Sequence, residues 1–416
     1  MKLVKKISLL ATTILAITDL SYAAVPETQY ELKQVVIVSR HGLRAPLTEG
    51  ADLLINATPY KWPKWDTTGG FLTAKGGALE TYMGHYFNDW FAQHNLVQKN
   101  TCPTNEQYYI YTNIVPRTIA TGQFFTVGAF PGCDKIKYHH LADLAGQDPI
   151  FFQKINDNSK EYVTKAVAEI ESFINDQNLA SSYAKLEEVI DYKNSHDCKV
   201  DKQCSLAKLP NKVNLIYGEE SSIDGPIHTA FWMVDAFMLQ DYEGFPTSQV
   251  AWGRIKSDKD WITLAKIRNA YIDAAYLQPM VVNQTIKPML SHLNTLMPLQ
   301  QSSDQAKITV LVGHDTTVGP IIRAMGFEDY NLPGQYEKTP IGGKIVFQRW
   351  NDKTTGKDLL KVEYVYQSTK QLRNLEKLTL DNPPQRVTLS LNGCQIDANG
   401  FCPWVDFKKV LNNLVK

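Results

Sequence analysis

Seven consecutive residues, Arg40-His41-Gly42-Leu43-Arg44-Ala45-Pro46, gather two guanidiniums and one imidazole. A guanidinium fork matches phosphate oxygens in a bidentate way, so two of them around one histidine point to an oxyanion site. Gly42 lets the backbone approach closely where a Cβ would obstruct. A second imidazole and a carboxyl stand together far downstream, at His314-Asp315. A third guanidinium, Arg117, heads an apolar stretch of helical spacing.

Polar groups of this kind need rigid elements to hold them. Val35 to Val38 is an unbroken β-branched run that reads as a buried strand, and it leads directly into Arg40-His41. Ile308 to Val312 is a second such strand, and it ends at Gly313-His314-Asp315. Tyr108 to Tyr111 predicts a strand before Arg117. Lys344–Trp350 and Leu360–Tyr366 predict two late strands. A helix fits Lys75 to His94, with Leu79, Met83, Tyr86 and Trp90 on one face, and another follows Asp315 through Val318, Ile321, Ile322 and Met325. Between about 145 and 290 the pattern is mostly helical, marked by Val163/Val167/Ile170/Ile174, Tyr183/Leu186/Val189, His228–Leu239 and Trp261–Tyr276. The expected fold is α/β: a mixed central sheet flanked by helices (24–144 and 290–416), with an inserted, mostly helical domain (145–289). A ligand crevice belongs at the carboxyl ends of the strands or where the two parts meet.

The chain begins with Lys2, Lys5 and Lys6, an apolar run from Ile7 to Ile17, and Ser21-Tyr22-Ala23. That order specifies a secretory signal peptide cleaved after Ala23, too short for a membrane span. A soluble, exported product with no later membrane segment is expected. Over the whole chain 43 basic side chains balance 43 acidic ones, which argues against a nucleic-acid partner that would call for a basic surplus. All six cysteines lie beyond the cleavage site. Fifteen pairings are possible; clustering along the chain suggests Cys102–Cys133, Cys198–Cys204 and Cys394–Cys402. No C-x-x-C or H-x-x-x-H spacing accompanies them, so a metal site is not expected. His85 reads as a packing residue, and His139-His140 as a surface loop. G-x-S-x-G, Walker A, G-x-G-x-x-G and H-E-x-x-H are absent.

R-H-G-x-R-x-P followed far downstream by a strand ending in His-Asp resembles the histidine acid phosphatase family. The similarity runs through nearly the whole mature chain. It includes Lys61-Trp62-Pro63, Met83-Gly84-His85-Tyr86, Gly128 to Cys133, Tyr242 to Pro246, Val250 to Gly253, Thr339 to Lys344 and Gly400 to Pro403. Within the family the chain is most similar to bacterial periplasmic enzymes that act on small sugar phosphates such as glucose 1-phosphate. The resemblance implies His41 as nucleophile, through a phosphohistidine, and Asp315 as proton donor. It implies Arg40, Arg44, Arg117 and His314 as the phosphate clamp, with no metal and no cofactor. It further makes Glu219 and Lys61 candidates for the substrate pocket, where an acid could contact sugar hydroxyls and repel highly anionic substrates; for Glu219 a solvated loop is the competing reading. Phytases read H-D-x-N where this chain has His314-Asp315-Thr316-Thr317, so the role of that Asn is open here. On physical grounds Arg40 and Arg44 should lower the pKa of His41, while Asp315 must be protonated to act, so an acid optimum is expected. Two alternatives stand beside this reading: a phytase acting on inositol hexakisphosphate, and a secreted binding protein that keeps the fold without catalysis.

Overall fold

The computed structural model describes residues 29–47, 50–141, 147–302 and 305–416. The signal-peptide reading and its cleavage site lie outside the described residues. No described helix is long and apolar enough to cross a membrane.

The strands are β1 (Tyr30–Arg40), β2 (Tyr108–Thr112), β3 (Tyr138–His139), β4 (Lys212–Asn214), β5 (Ser222–Asp224), β6 (Ile308–Gly313), β7 (Lys344–Asp352), β8 (Lys357–Tyr366), β9 (Gln385–Thr388) and β10 (Cys402–Pro403). The helices are α1 (Ala51–Asn56), α2 (Ala74–Gln93), α3 (Pro116–Ala129), α4 (Lys160–Asp176), α5 (Ala180–Ile190), α6 (His196–Asp201), α7 (Pro226–Glu243), α8 (Asp258–Tyr276), α9 (Pro279–Thr285), α10 (Lys287–Leu296), α11 (Asp315–Met325), α12 (Thr369–Arg373) and α13 (Trp404–Val415). One sheet runs β10-β8-β7-β1-β6-β2-β3, with β9 on β8, while β4 and β5 form a separate hairpin. The sheet is mixed: β1, β6, β2 and β3 are parallel, and β7, β8, β9 and β10 add antiparallel.

The unbroken apolar run in β1 follows from cover on both faces. Val35 and Ile37 pack with Met83, Phe87 and Trp90 of α2 and Phe125 of α3. Val36 and Val38 point the other way, into a core with Met289 and Leu293 of α10, Val318 and Ile321 of α11, and Trp404, Phe407 and Leu411 of α13. A third core is formed by the helices of the insertion, α4, α5, α7 and α8. The boundary expected at 289/290 falls inside α10, which belongs to the core beneath the sheet. His139, expected in a loop, sits on the edge strand β3 and stacks on Tyr109. His85, expected as a packing residue, lies on the solvent side of α2, 3.6 Å from Asp89. The three disulfides are Cys102–Cys133, Cys198–Cys204 and Cys394–Cys402, and among the described residues no cysteine is free.

Candidate active site

Sheet register assembles the site. In the parallel centre Arg40 is level with Gly313, and Thr112 with Val312. The residues just past those strand ends, His41, His314 and Asn113, therefore meet at the carboxyl edge although more than 200 positions separate two of them. The His41 amide donates to Gly313 O at 2.9 Å and the Asn113 amide to Val312 O at 2.9 Å, which locks both loops to the central strand. Gly42 then passes so close to α2 that a Cβ there would lie 2.9 Å from Glu80 Cγ. Its amide donates to Thr121 Oγ1 on α3, which itself donates to Arg117 O, tying the loop to the helix that carries Arg117. That helix is held against α2 by two glycines. A Cβ on Gly84 would stand 2.0 Å from Phe125 O, and one on Gly128 the same distance from Thr81 O.

The polar groups line a cleft of about 620 Å³ between the sheet edge and the inserted helices. His41 is buried and its Nδ1 lies 2.9 Å from Gly42 O. A carbonyl can only accept, so Nδ1 carries the proton and Nε2 keeps its lone pair. Burial first, then Arg117, Arg40, Arg44 and His314, hold this imidazole well below the usual histidine range. His314 faces it across 5.5 Å between ring centroids. Asn113 Oδ1 accepts from the Ile114 amide, which leaves Nδ2 to donate to His314 Nε2 at 2.8 Å. The His314 proton therefore sits on Nδ1, 3.4 Å from Arg117 Nη2. Two donors side by side make an anion site. His314 is likewise held neutral, pushed down to about 3 by burial and then by Arg117.

Behind this surface lies a network that the sequence motifs do not announce. Arg40 donates through Nη1 to Glu337 Oε1 and to Thr339 O, both at 2.7 Å, and its Nη2 lies 3.3 Å from Asp315 Oδ2. Arg268 of α8 reaches the same Asp315 oxygen at 2.9 Å, Glu337 Oε1 at 2.8 Å and Asp235 Oδ1 at 3.4 Å. Asp235 Oδ2 pairs with Arg44 at 3.1 Å. Burial favours the uncharged form of Arg40, but Asp315, Glu337 and Asp235 outweigh it and raise its pKa. Burial likewise favours a neutral Asp315, but Arg40 and Arg268 outweigh it and hold the carboxyl well below the usual range. Asp315 opens α11, where Oδ1 accepts from the Thr316 amide at 3.1 Å.

His41, Asp315, Arg44, Arg117 and His314 thus share one cleft, with Arg40 directly beneath. The two pocket candidates do not join them. Glu219 is exposed; its backbone carbonyl accepts from the Ile155 amide and its own amide donates to Ile216 O. Its neighbour Glu220 lines the cleft instead, its pKa raised to about 7 chiefly by burial. Lys61 does not line the cleft either; its carbonyl accepts from Trp252 Nε1, within a cluster where Trp62 stacks on Phe237. Sequence reasoning missed Arg268, Asp235, Glu337 and Asn113. Arg268 and Asp235 did carry a signal, each being a charge set among apolar neighbours on a helix. Among the described residues no three His, Cys, Asp or Glu are grouped to hold a metal.

The family model described as "Histidine phosphatase superfamily (branch 2)" matches residues 31–367. A glucose-1-phosphatase of Salmonella typhimurium is 44% identical over 414 residues, 99% of this chain and 100% of that one. A glucose-1-phosphatase of Providencia rettgeri is 44% identical over 381 residues, 91% of each chain. Phytase AppA of Escherichia coli is 32% identical over 420 residues, covering 96% of this chain and 95% of its own. Among solved structures, the phytase of Citrobacter braakii superposes with a TM-score of 0.84 at 30% identity, covering 92% of this chain and 98% of that one.

Proposed function

The chain belongs to branch 2 of the histidine phosphatase superfamily and is a phosphoric monoester hydrolase; from that premise we propose that it cleaves small sugar phosphates such as glucose 1-phosphate at His41. In this reading Nε2 of His41 attacks phosphorus in line. The N–P bond forms as the P–O bond to the sugar breaks, and Asp315 gives its proton to the departing oxygen. Arg40, Arg44, Arg117 and the Nδ1–H of His314 balance the charge on the equatorial oxygens. Water then attacks phosphorus, the N–P bond breaks, and the water proton passes to Asp315. The first residues of α3 and α11 line this same cleft, where helix amino termini favour an anion.

One observation carries the substrate reading. Among the described residues that line the cleft, the basic side chains at the phosphoryl end are Arg44 and Arg117, beside His41 and His314, and no lysine lines the remaining walls. Those walls present Phe152, Phe231, Trp232 and Tyr271 with the acids Asp148 and Glu220. Such a cleft suits one phosphoryl group carried on an uncharged polyol, whereas inositol hexakisphosphate would need cations along the walls as well. The test is kcat/KM on glucose 1-phosphate against phytate, in excess chelator. Glucose 1-phosphate should win, and activity should survive the chelator. Equal or better turnover of phytate would overturn the substrate assignment, and loss on chelation restored by a divalent ion would overturn the mechanism. The three disulfides and the Lys-rich, apolar, Ser-Tyr-Ala start of the chain support export to the periplasm with cleavage after Ala23.

A further inference from the structure

The mechanism needs Asp315 protonated, yet the structure surrounds its carboxyl with cations. Oδ2 takes Arg268 at 2.9 Å and Arg40 at 3.3 Å, while Oδ1 takes only the Thr316 amide. The network behind the cleft is balanced: the guanidiniums of Arg40, Arg44 and Arg268 face the carboxyls of Asp235, Glu337 and Asp315. With all three carboxyls ionised, this set offers an incoming dianion no net positive charge. Neutralising one carboxyl releases a cation toward the cleft. Only one of the three can meet a proton there. The Asp315 side chain is 14% exposed and lines the cleft, while Asp235 and Glu337 are 4% and 2% exposed and do not.

We propose that Asp315 takes up its catalytic proton when an oxyanion enters the cleft, and that Arg268, braced by Asp235 and Glu337, is the positioning residue that couples the two events. An anion bound between Arg44, Arg117 and Arg40 draws Arg40 away from Asp315 electrostatically and places negative charge beside it. Both changes favour the protonated carboxyl. Arg268 stays with Asp315, because its Nη2 bridges Asp315 and Glu337 while its Nε holds Asp235, all three contacts behind the cleft lining. It thus keeps Asp315 ionised in the empty site and fixes how far the equilibrium swings on binding. The acid would be charged by the substrate's arrival, not stored in the resting enzyme. This inference rests on the reading of Asp315 as the acid.

Other groups face Asp315 as well: His314 on its own element, Arg44 from the loop after β1, Glu220 from the approach to β5, Tyr276 of α8 and Tyr364 of β8. Glu220 is the rival proton acceptor, since it lies in the same cleft with its pKa near neutrality.

The experiment is calorimetric binding of sulfate, a dianion that does not itself titrate here, to the mature protein across roughly pH 4 to 7 in buffers of different ionisation enthalpy. Proton uptake per bound sulfate should approach one somewhere in this range. Asp315→Asn should still bind sulfate and take up none, while Glu220→Gln should keep the wild-type uptake. Removing a nearby cation raises a carboxyl pKa, so Arg268→Gln should move the uptake window to higher pH, and Arg268→Lys, which keeps the charge, should move it less. No uptake in the wild type, uptake that survives Asp315→Asn, or uptake lost in Glu220→Gln would overturn the proposal. An unmoved window in both Arg268→Lys and Arg268→Gln would remove Arg268 from it. None of these measurements requires turnover. Failure of the acid role itself would show elsewhere, as equal losses of Asp315→Asn on good and poor leaving groups.

Discussion

Asp315→Asn should separate proton donation from electrostatics, because the two effects have opposite signs and only one depends on the leaving group. The substitution removes the ionised carboxylate of the empty site, which in the wild type must be neutralised by a proton as the phosphoryl group binds. An ionised carboxylate and a phosphoryl charge about 5 Å apart would repel by roughly 3 kcal/mol at an effective dielectric of 20. Deleting the repulsion should tighten binding of any phosphate, and should do so alike for every ester and for inorganic phosphate. The lost proton acts differently. General acid catalysis is worth about 10²–10⁴, or roughly 3–5 kcal/mol, for a poor alkoxide leaving group. Nitrophenolate departs without a proton and should lose far less. The assay is kcat for glucose 1-phosphate and for p-nitrophenyl phosphate, in wild type and variant, where phosphoenzyme formation limits the rate. Expected are a loss of about 10²–10⁴ on the sugar ester, a much smaller one on the aryl ester, and a lower KM on both. Equal losses in kcat would refute the acid role, and an unchanged KM would refute the electrostatic part.

His41→Ala should abolish turnover of all phosphomonoesters, since no phosphoenzyme can form. Because burial and Arg117, Arg40 and Arg44 hold its pKa well below 6.5, wild-type kcat/KM should not fall as pH drops through 6.5; an acid limb centred there would mean an ordinary, unshifted imidazole. Arg117→Ala should lower kcat by about 10²–10³, the usual cost of one preorganised donor, while Arg323→Ala on the exposed side of α11 should cost little. Glu220 is neutral below about 7 and anionic above it. Any turnover of phytate should therefore fall relative to glucose 1-phosphate as pH rises through that value, and Glu220→Gln should flatten the ratio; a ratio indifferent to both would remove Glu220 from selectivity.

What the sequence made legible was what is local. The run Val35–Val38 announces its strand because β-branched residues covered on both faces leave an unbroken apolar stretch. The chemistry-bearing residues follow such strands directly, so Arg40, His41, Arg44, His314 and Asp315 could be read as a group. Arg268 and Asp235 were different. Arg268 lies on the stripe of α8 that carries Leu264, Tyr271 and Ile272, and Asp235 sits among Phe231, Val234 and Phe237 on α7. A charge on a buried helical stripe is costly unless it is paired, and that cost is the signal that was present. The partner was not readable, because Arg268 meets Asp315 and Glu337 only through the packing of the insertion onto the sheet. Glu337 lies in a loop with no periodic pattern to place it. The Glu219-Glu220 pair failed for another reason. The choice between neighbours depends on which way a short hairpin turns its residues, and that is set by the Ile155 backbone pairing outside it.

Thr317 shows how geometry settles a departure that spacing leaves open. The amide of His314 needs an acceptor at the start of α11, where helix donors have no partner within the helix. Thr317 Oγ1 supplies it at 3.0 Å, with the side chain fully buried. The fit is close: a Cβ on Gly313 would stand 2.4 Å from that hydroxyl oxygen. The hydroxyl therefore fixes the backbone from which both His314 and Asp315 project, while Asn113 orients the His314 ring from another strand. Whatever else an amide at position 317 does in phytases, the positioning of the His-Asp pair here does not require it. Thr317→Val keeps the shape and removes the acceptor. By the usual cost of an unsatisfied buried donor, about 1–3 kcal/mol, it should lower thermal stability and loosen His314 and Asp315 together. Losses on glucose 1-phosphate and on p-nitrophenyl phosphate should then be alike, in contrast to Asp315→Asn. A selective loss on the sugar ester alone would mean that the hydroxyl acts on the proton donor and not on the backbone.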